Sequence, residues 1–174
     1  MAGDALWYEA AHVVGITNAL NVAADGLGPL MAPVKAESAP AEVAAVFADI
    51  RAFYAEGGTG EVPLPFGLAA HDPGYLADLW AACKRAFADN RLGRRLKTAL
   101  AFAVSLTTRS GFGTAFHLSE LRRLGVGEGG VREVVGVTQM FSSYTKIADT
   151  LQLDPDMGDI APVDRTPAPG TGPR

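Results

Sequence analysis

The sequence predicts an all-α protein, a compact bundle of five to six helices with no sheet. Apolar residues recur at intervals of three and four, the helical period, and not at the alternate positions of a half-buried strand. Alanine is abundant and runs of β-branched residues are short, a composition that favours helix over sheet. Clusters of glycine and proline cut the chain into segments of helical length.

The first helix is expected over about Ala5 to Ala24, ending near Gly26 and Gly28, where glycine can take a left-handed cap conformation. Pro29, Pro33 and Pro40 interrupt any helix between them, so 29–39 reads as a connector. Pro40 lies in the first turn of a second helix, with Glu42 near the positive end of its dipole. That helix runs to about Ala55 and is stopped by Gly57 to Gly60. A loop containing Pro63 and Pro65 leads to a third helix, from Asp72 or Pro73 to Ala88, with Asp72 as cap and proline in the first helical position.

The fourth helix covers about Leu92 to Thr107 and sets Leu92, Leu96, Ala99, Leu100, Ala103 and Leu106 on one stripe, read as core. A fifth follows Arg109-Ser110-Gly111, runs to Leu124 and closes at Gly125; a sixth spans about Gly130 to Leu151. From Asp154 onward Pro, Gly and Asp dominate with scarcely any large apolar side chain, too little burial to offset ordering entropy. The organisation is an N-terminal helix (1–28), a connector (29–39), a helical domain (40–153) and a tail (154–174), expected to be mobile from Asp159 on.

At 174 residues and 48% hydrophobic content the chain can bury one sizeable core and is too short for two ordinary domains. A net charge of −4 with no block of consecutive Lys or Arg argues against a nucleic acid or an anionic membrane as partner. A small molecule or another protein remains. Asp4 stands where a secretory signal would be basic, and the longest apolar runs, Val43 to Ala48 and Ala99 to Val104, are far shorter than a membrane span. The expected compartment is the cytoplasm.

A single cysteine, Cys83, excludes an intrachain disulfide and a cysteine-based zinc cluster, and reads as a buried small apolar residue. The glycines at 57–60 and 125–130 are not followed by Lys-Ser/Thr, so they form no phosphate loop, and no metal-ligand spacing occurs. No metal and no cofactor are expected.

One internal echo bears on the architecture. Val13-Val14-Gly15-Ile16-Thr17 followed by Ala24-Asp25 is matched by Val134-Val135-Gly136-Val137-Thr138 followed by Ala148-Asp149. The first helix is either a partial repeat of the last or a chance likeness of two Ala/Val-rich amphipathic helices.

Three stretches in order carry a family resemblance: Lys97 to Ser105, Arg109 to His117, and Glu120 to Gly125. Flanking pieces agree, Leu68-Ala69-Ala70-His71-Asp72-Pro73 before and Phe141 to Leu151 after. Over about residues 40–153 the sequence resembles the AhpD-like proteins, the alkylhydroperoxidase and carboxymuconolactone decarboxylase superfamily. The resemblance implies an AhpD-like helical bundle, with a Glu-bearing helix leading into a Cys-x-x-Cys-x-x-x-His stretch. Here Ser110 stands at the first cysteine, Gly113 at the second and Thr98 at the proton-relay glutamate, and His117 is retained.

Thiol peroxidase chemistry runs through a thiolate and a disulfide, which a serine and a glycine cannot form. The decarboxylase branch also lacks the cysteine pair and keeps a histidine, so the resemblance leaves room for other catalysis. It also implies assembly into trimers or hexamers.

Spacing gives a second line of argument. On one helix Ser110, Gly113 or Thr114, His117, Leu121 and Leu124 follow steps of three and four, so they share an inward face that is polar at its start. Gly111 and Gly113 leave room there for a small ligand, and free amides at the helix start favour an oxyanion or carboxylate. His117 is the candidate general acid/base; the alternative is a buried structural histidine.

Ser110 and His117 lie two turns apart, roughly 10 Å along the axis, too far for a nucleophile–base pair, so Ser110 reads as a cap or ligand contact. Thr114 is the nearer hydrogen-bond neighbour of His117, and Glu120 either orients it or pairs with Arg122 or Arg123. Arg109 at the pocket mouth and Tyr144 on the last helix complete the candidate substrate-binding set, with Ser110, Gly113 and Thr114. His12 and His71 read as structural.

Two functions are expected from this. One is a cofactor-free lyase or isomerase acting through His117 on a small anionic or carbonyl-containing molecule. The other is a redox-dead structural or ligand-binding subunit that assembles with itself or with a cysteine-bearing relative.

Overall fold

The computed structural model describes residues 2–54 and 60–152. The expected mobile tail and Gly57 and Gly58 lie outside the described residues. Among those residues the chain forms seven α-helices and no strand. They are α1 (Ala2–Leu27), α2 (Ala41–Tyr54), α3 (Leu64–Ala69), α4 (Pro73–Phe87), α5 (Arg94–Thr107), α6 (Gly111–Arg123) and α7 (Glu128–Leu151), with a 3-10 turn at Ala36–Ser38 in the connector. None is long and apolar enough to cross a membrane.

The count exceeds the expected five to six because the stretch read as a loop around Pro65 closes into α3. Proline is harmless in a first turn, where its missing N–H would have no partner, and the short helix buries Pro65, Phe66 and Leu68. The connector is held against it: Val34 N donates to Gly67 O at 2.9 Å, and His71 Nε2 lies 2.9 Å from Ala32 O. That contact ties His71, just before α4, to the connector.

The local signals at helix ends are realised. Asp72 caps α4 by accepting from Tyr75 N at 3.0 Å, with Pro73 at the start of the helix. α6 ends in a Schellman arrangement: Gly125 has φ +78°, its N–H reaches Arg122 O at 3.0 Å, and Val126 N reaches Leu121 O at 2.9 Å.

The main core joins Val13 and Leu20 of α1, Val43, Phe47 and Ile50 of α2, Phe66 of α3, Leu76, Trp80 and Phe87 of α4, and Ala101 of α5. Each large side chain among these contributes about 1.5–3 kcal/mol by leaving water. A smaller cluster, Phe102, Leu121 and Val131, joins α5, α6 and the start of α7.

α5 is rotated relative to its expected stripe. Ala99, Leu100 and Leu106 of that stripe pack partly buried against the core, but Leu96 is 51% exposed, and the fully buried face is Lys97, Thr98, Ala101, Phe102 and Ser105. The reason lies in α1, which packs on α5 and brings polar partners to it. Lys97, wholly buried, pairs with Glu9 at 2.5 Å and donates to Ala88 O. A buried ammonium is tolerated only with such compensation.

α7 buries Val131 against α5, while Val137, Met140, Phe141, Tyr144, Ile147 and Leu151 stay exposed.

Candidate functional site

The α5–α6 turn builds the site. Arg109 takes φ +57°, a left-handed conformation uncommon for a residue with a Cβ, and reverses the chain so that α6 packs along α5. Ser110 then caps α6: its N–H donates to Ser105 O at 3.0 Å, and its Oγ accepts from Gly113 N at 2.9 Å. The hydroxyl oxygen is thus engaged in ending a row of unpaired amides.

Gly113 does not leave room for a ligand. A Cβ there would lie 2.1 Å from Asn21 Oδ1 and 2.5 Å from Ser105 Oγ. The space belongs to α1, whose Asn21 donates from Nδ2 to Ser105 Oγ at 3.0 Å while Ser105 Oγ donates to Ala101 O at 2.8 Å. Asn21 Oδ1 and, one turn earlier, Thr17 Oγ1 are buried without a hydrogen-bond partner among the described residues. Gly111, by contrast, faces open space.

His117 is 3% exposed, stacked on Phe87 with centroids 5.9 Å apart and edge-on to Phe116 at 5.1 Å. Among the described residues no hydrogen bond reaches its ring. Neither Thr114 nor Glu120 orients it: Thr114 is half-buried and bonds through its backbone to Ser110 O, and Glu120 is held by Arg123 at 2.7 Å and Arg94 at 3.5 Å. Burial lowers the imidazole pKa from 6.5 to about 4, so the ring is neutral at pH 7.

Tyr144 does not join this group. It is 63% exposed on α7, ten residues beyond Val134, which packs on the smaller cluster; that spacing is roughly 15 Å of helix. Arg109 is exposed at the turn. Ser110, Gly113, Thr114 and His117 share one face of α6, but it is packed against α1 and aromatic side chains. Thr98, at the relay position, is buried and donates to Arg94 O at 2.8 Å.

The residue that sequence reasoning missed is Asn21. Its signal was a polar pair one turn apart, Thr17 and Asn21, inside the apolar face formed by Val13, Leu20 and Ala24.

Cys83 is buried 3.9 Å from the Tyr54 hydroxyl, and burial pushes the thiol up to about 12. A groove of about 690 Å³ is bordered by Val34, Val62 and Leu64 and by the stacked pair Phe112 and Phe116. Among the described residues no group of His, Cys, Asp and Glu is arranged to hold a metal.

This helical arrangement is an AhpD-like fold. The chain is similar to the crystal structure of the alkylhydroperoxidase AhpD core from Rhodospirillum rubrum, with a TM-score of 0.62 and 23% identity over 70% of this chain and 88% of that one. Residues 73–153, α4 to the end of α7, match the model of the carboxymuconolactone decarboxylase family. Over that stretch, just under half of the chain, the sequence is similar to this family, and the chain carries a single cysteine. Among curated proteins none matches the chain.

Proposed function

We propose that this protein is a redox-dead member of the superfamily that acts as an assembling, small-ligand-binding subunit. The observation that carries the reading is the packing of Asn21 against Gly113, which fills the place where a second thiol and its substrate would lie. Ser110 and Gly113 supply no thiolate, and Cys83 is buried with its thiol pushed up to about 12.

The apolar stripe of α7 supports assembly. Val137, Met140, Phe141, Tyr144, Ile147 and Leu151 recur at helical spacing and lack a partner within the described chain. A second copy covers them in this reading, giving a trimer or hexamer alone or with a cysteine-bearing relative. Light scattering on the purified chain tests it. Phe141→Glu should dissociate the oligomer while circular dichroism stays unchanged, because Phe141 is 68% exposed in the single chain. A monomeric wild-type protein overturns the reading.

A second reading keeps His117 as general acid/base of a cofactor-free lyase or isomerase. Its support is that Phe116, whose ring meets the neutral imidazole edge-on at 5.1 Å, also lines the groove. Rotation of Phe116 would admit a small anionic or carbonyl-containing substrate to a ring already in its basic form. An NMR titration of His117 against small carboxylates and enones decides between the two: a ligand-dependent shift, abolished in His117→Ala along with turnover, favours catalysis. An imidazole that responds to none of them leaves the non-catalytic reading.

A further inference from the structure

A separate cavity of about 410 Å³ lies between α1 and the end of α4, lined by none of the α6 residues considered above. Its polar lining is Tyr8, Glu9 and His12 from α1, Arg85 from the last turn of α4, and Asn90 and Arg91 from the α4–α5 loop. Tyr8 and His12 are one turn apart on α1, so their hydroxyl and imidazole share a face.

Glu9 is the lining carboxylate, and it is already engaged. It pairs with buried Lys97 at 2.5 Å and accepts the backbone N–H groups of Arg91 at 3.2 Å and Leu92 at 3.4 Å. Those bonds hold its carboxyl below the usual range, with the Lys97 hydrogen bond the largest cause. They also fasten the α4–α5 loop to α1, fixing where Arg91 emerges.

The guanidinium groups of Arg85 and Arg91 have no anionic partner among the described residues. His12, read from the sequence as structural, likewise makes no hydrogen bond among them and is exposed. A concave, mostly polar cavity in a net-acidic chain therefore collects two guanidinium groups without an anionic partner among the described residues and an imidazole without a hydrogen bond there, around a carboxylate whose charge is compensated by Lys97.

We propose that this cavity binds a small molecule through a phosphate or carboxylate group. Arg85 and Arg91 grip the oxyanion, in the forked geometry that suits guanidinium to both chemistries, and His12 and Tyr8 are placed to bond to the rest of the ligand. At about 410 Å³ the cavity is of a size for a small metabolite and not for a polymer. The proposal is independent of the role of His117.

The test is isothermal titration calorimetry of the full chain with inorganic phosphate, pyrophosphate and citrate, at constant ionic strength. Saturable one-to-one binding of any of the three is expected, and which one binds separates phosphate from carboxylate recognition. The double variant Arg85→Ala/Arg91→Ala should lose about tenfold or more in affinity. Both residues are exposed, so circular dichroism should report an intact fold. Arg95→Ala, which removes an exposed arginine that lines another cavity, should bind as the wild type does. Absence of saturable binding by all three anions overturns the proposal, as does unchanged binding in the double variant or an equal loss in Arg95→Ala.

Discussion

Replacing Gly113 by alanine isolates the contact that closes the site. The added methyl would fall 2.1 Å from Asn21 Oδ1 and 2.5 Å from Ser105 Oγ, both on side chains buried between α1, α5 and α6. Overpacking of this kind costs about 1–3 kcal/mol, and the severity of the overlap puts it at the upper end. Alanine in a helix interior recovers about 1 kcal/mol over glycine, leaving a net loss of about 2 kcal/mol. For a chain of this length that is a fall of about 4–8 °C in melting temperature.

Asn21→Ala removes the hydrogen bond to Ser105 Oγ, about 1 kcal/mol, and a longer one of 3.5 Å to Thr108 Oγ1, and removes with them the unpartnered Oδ1, so its own effect should be smaller. The double variant should then be more stable than Gly113→Ala alone. Urea denaturation followed by circular dichroism closes the double-mutant cycle, with an expected coupling of about 2 kcal/mol. Additive effects would refute the argument that Asn21 occupies this space. The same geometry predicts that a Ser110→Cys/Gly113→Cys pair is poorly accommodated unless Asn21 is also shortened.

Two other outcomes follow from burial. The His117 pKa is lowered from 6.5 to about 4, so between those values the unfolded chain binds more protons than the folded one. Stability is full above about pH 6.5 and declines as pH falls towards 4, by about 3 kcal/mol in total. Urea midpoints against pH should show this loss in the wild type and a flatter profile in His117→Phe; parallel profiles would contradict it. The Cys83 thiol, pushed up to about 12 inside the core, should resist alkylation by iodoacetamide at pH 8 in native protein and react in denaturant. Rapid labelling of the native chain would count against its placement.

The parts of the fold legible in the sequence are those written in neighbouring residues. Helical periodicity, the Asp72-Pro73 start of α4, the Ser110 cap of α6 and the left-handed Gly125 after it all depend on groups within a turn or two of one another. α3 escaped notice because a segment with two prolines forms a helix here only when Phe66 and Leu68 have a core to enter. The buried face of α5 was legible only in part, at Ala99, Leu100 and Leu106, for a related reason. Pattern reading puts leucine inside and lysine outside, yet Leu96 is exposed and Lys97 buried because Glu9, far along the chain, meets the ammonium.

The sequence by itself determined that the chain is helical and where most helices begin and end. It also determined that this sequence holds one cysteine, Cys83, and therefore no pair of thiols. Only the tertiary structure decided that the retained histidine is enclosed, that Tyr144 faces outward and that Gly113 is a packing requirement and not a ligand space. The last depends on Asn21, 92 positions before Gly113 in the numbering and opposite it in the fold. A glycine reads the same in sequence whether the space beside it is empty or full; which of the two holds is fixed by the helix that packs across it.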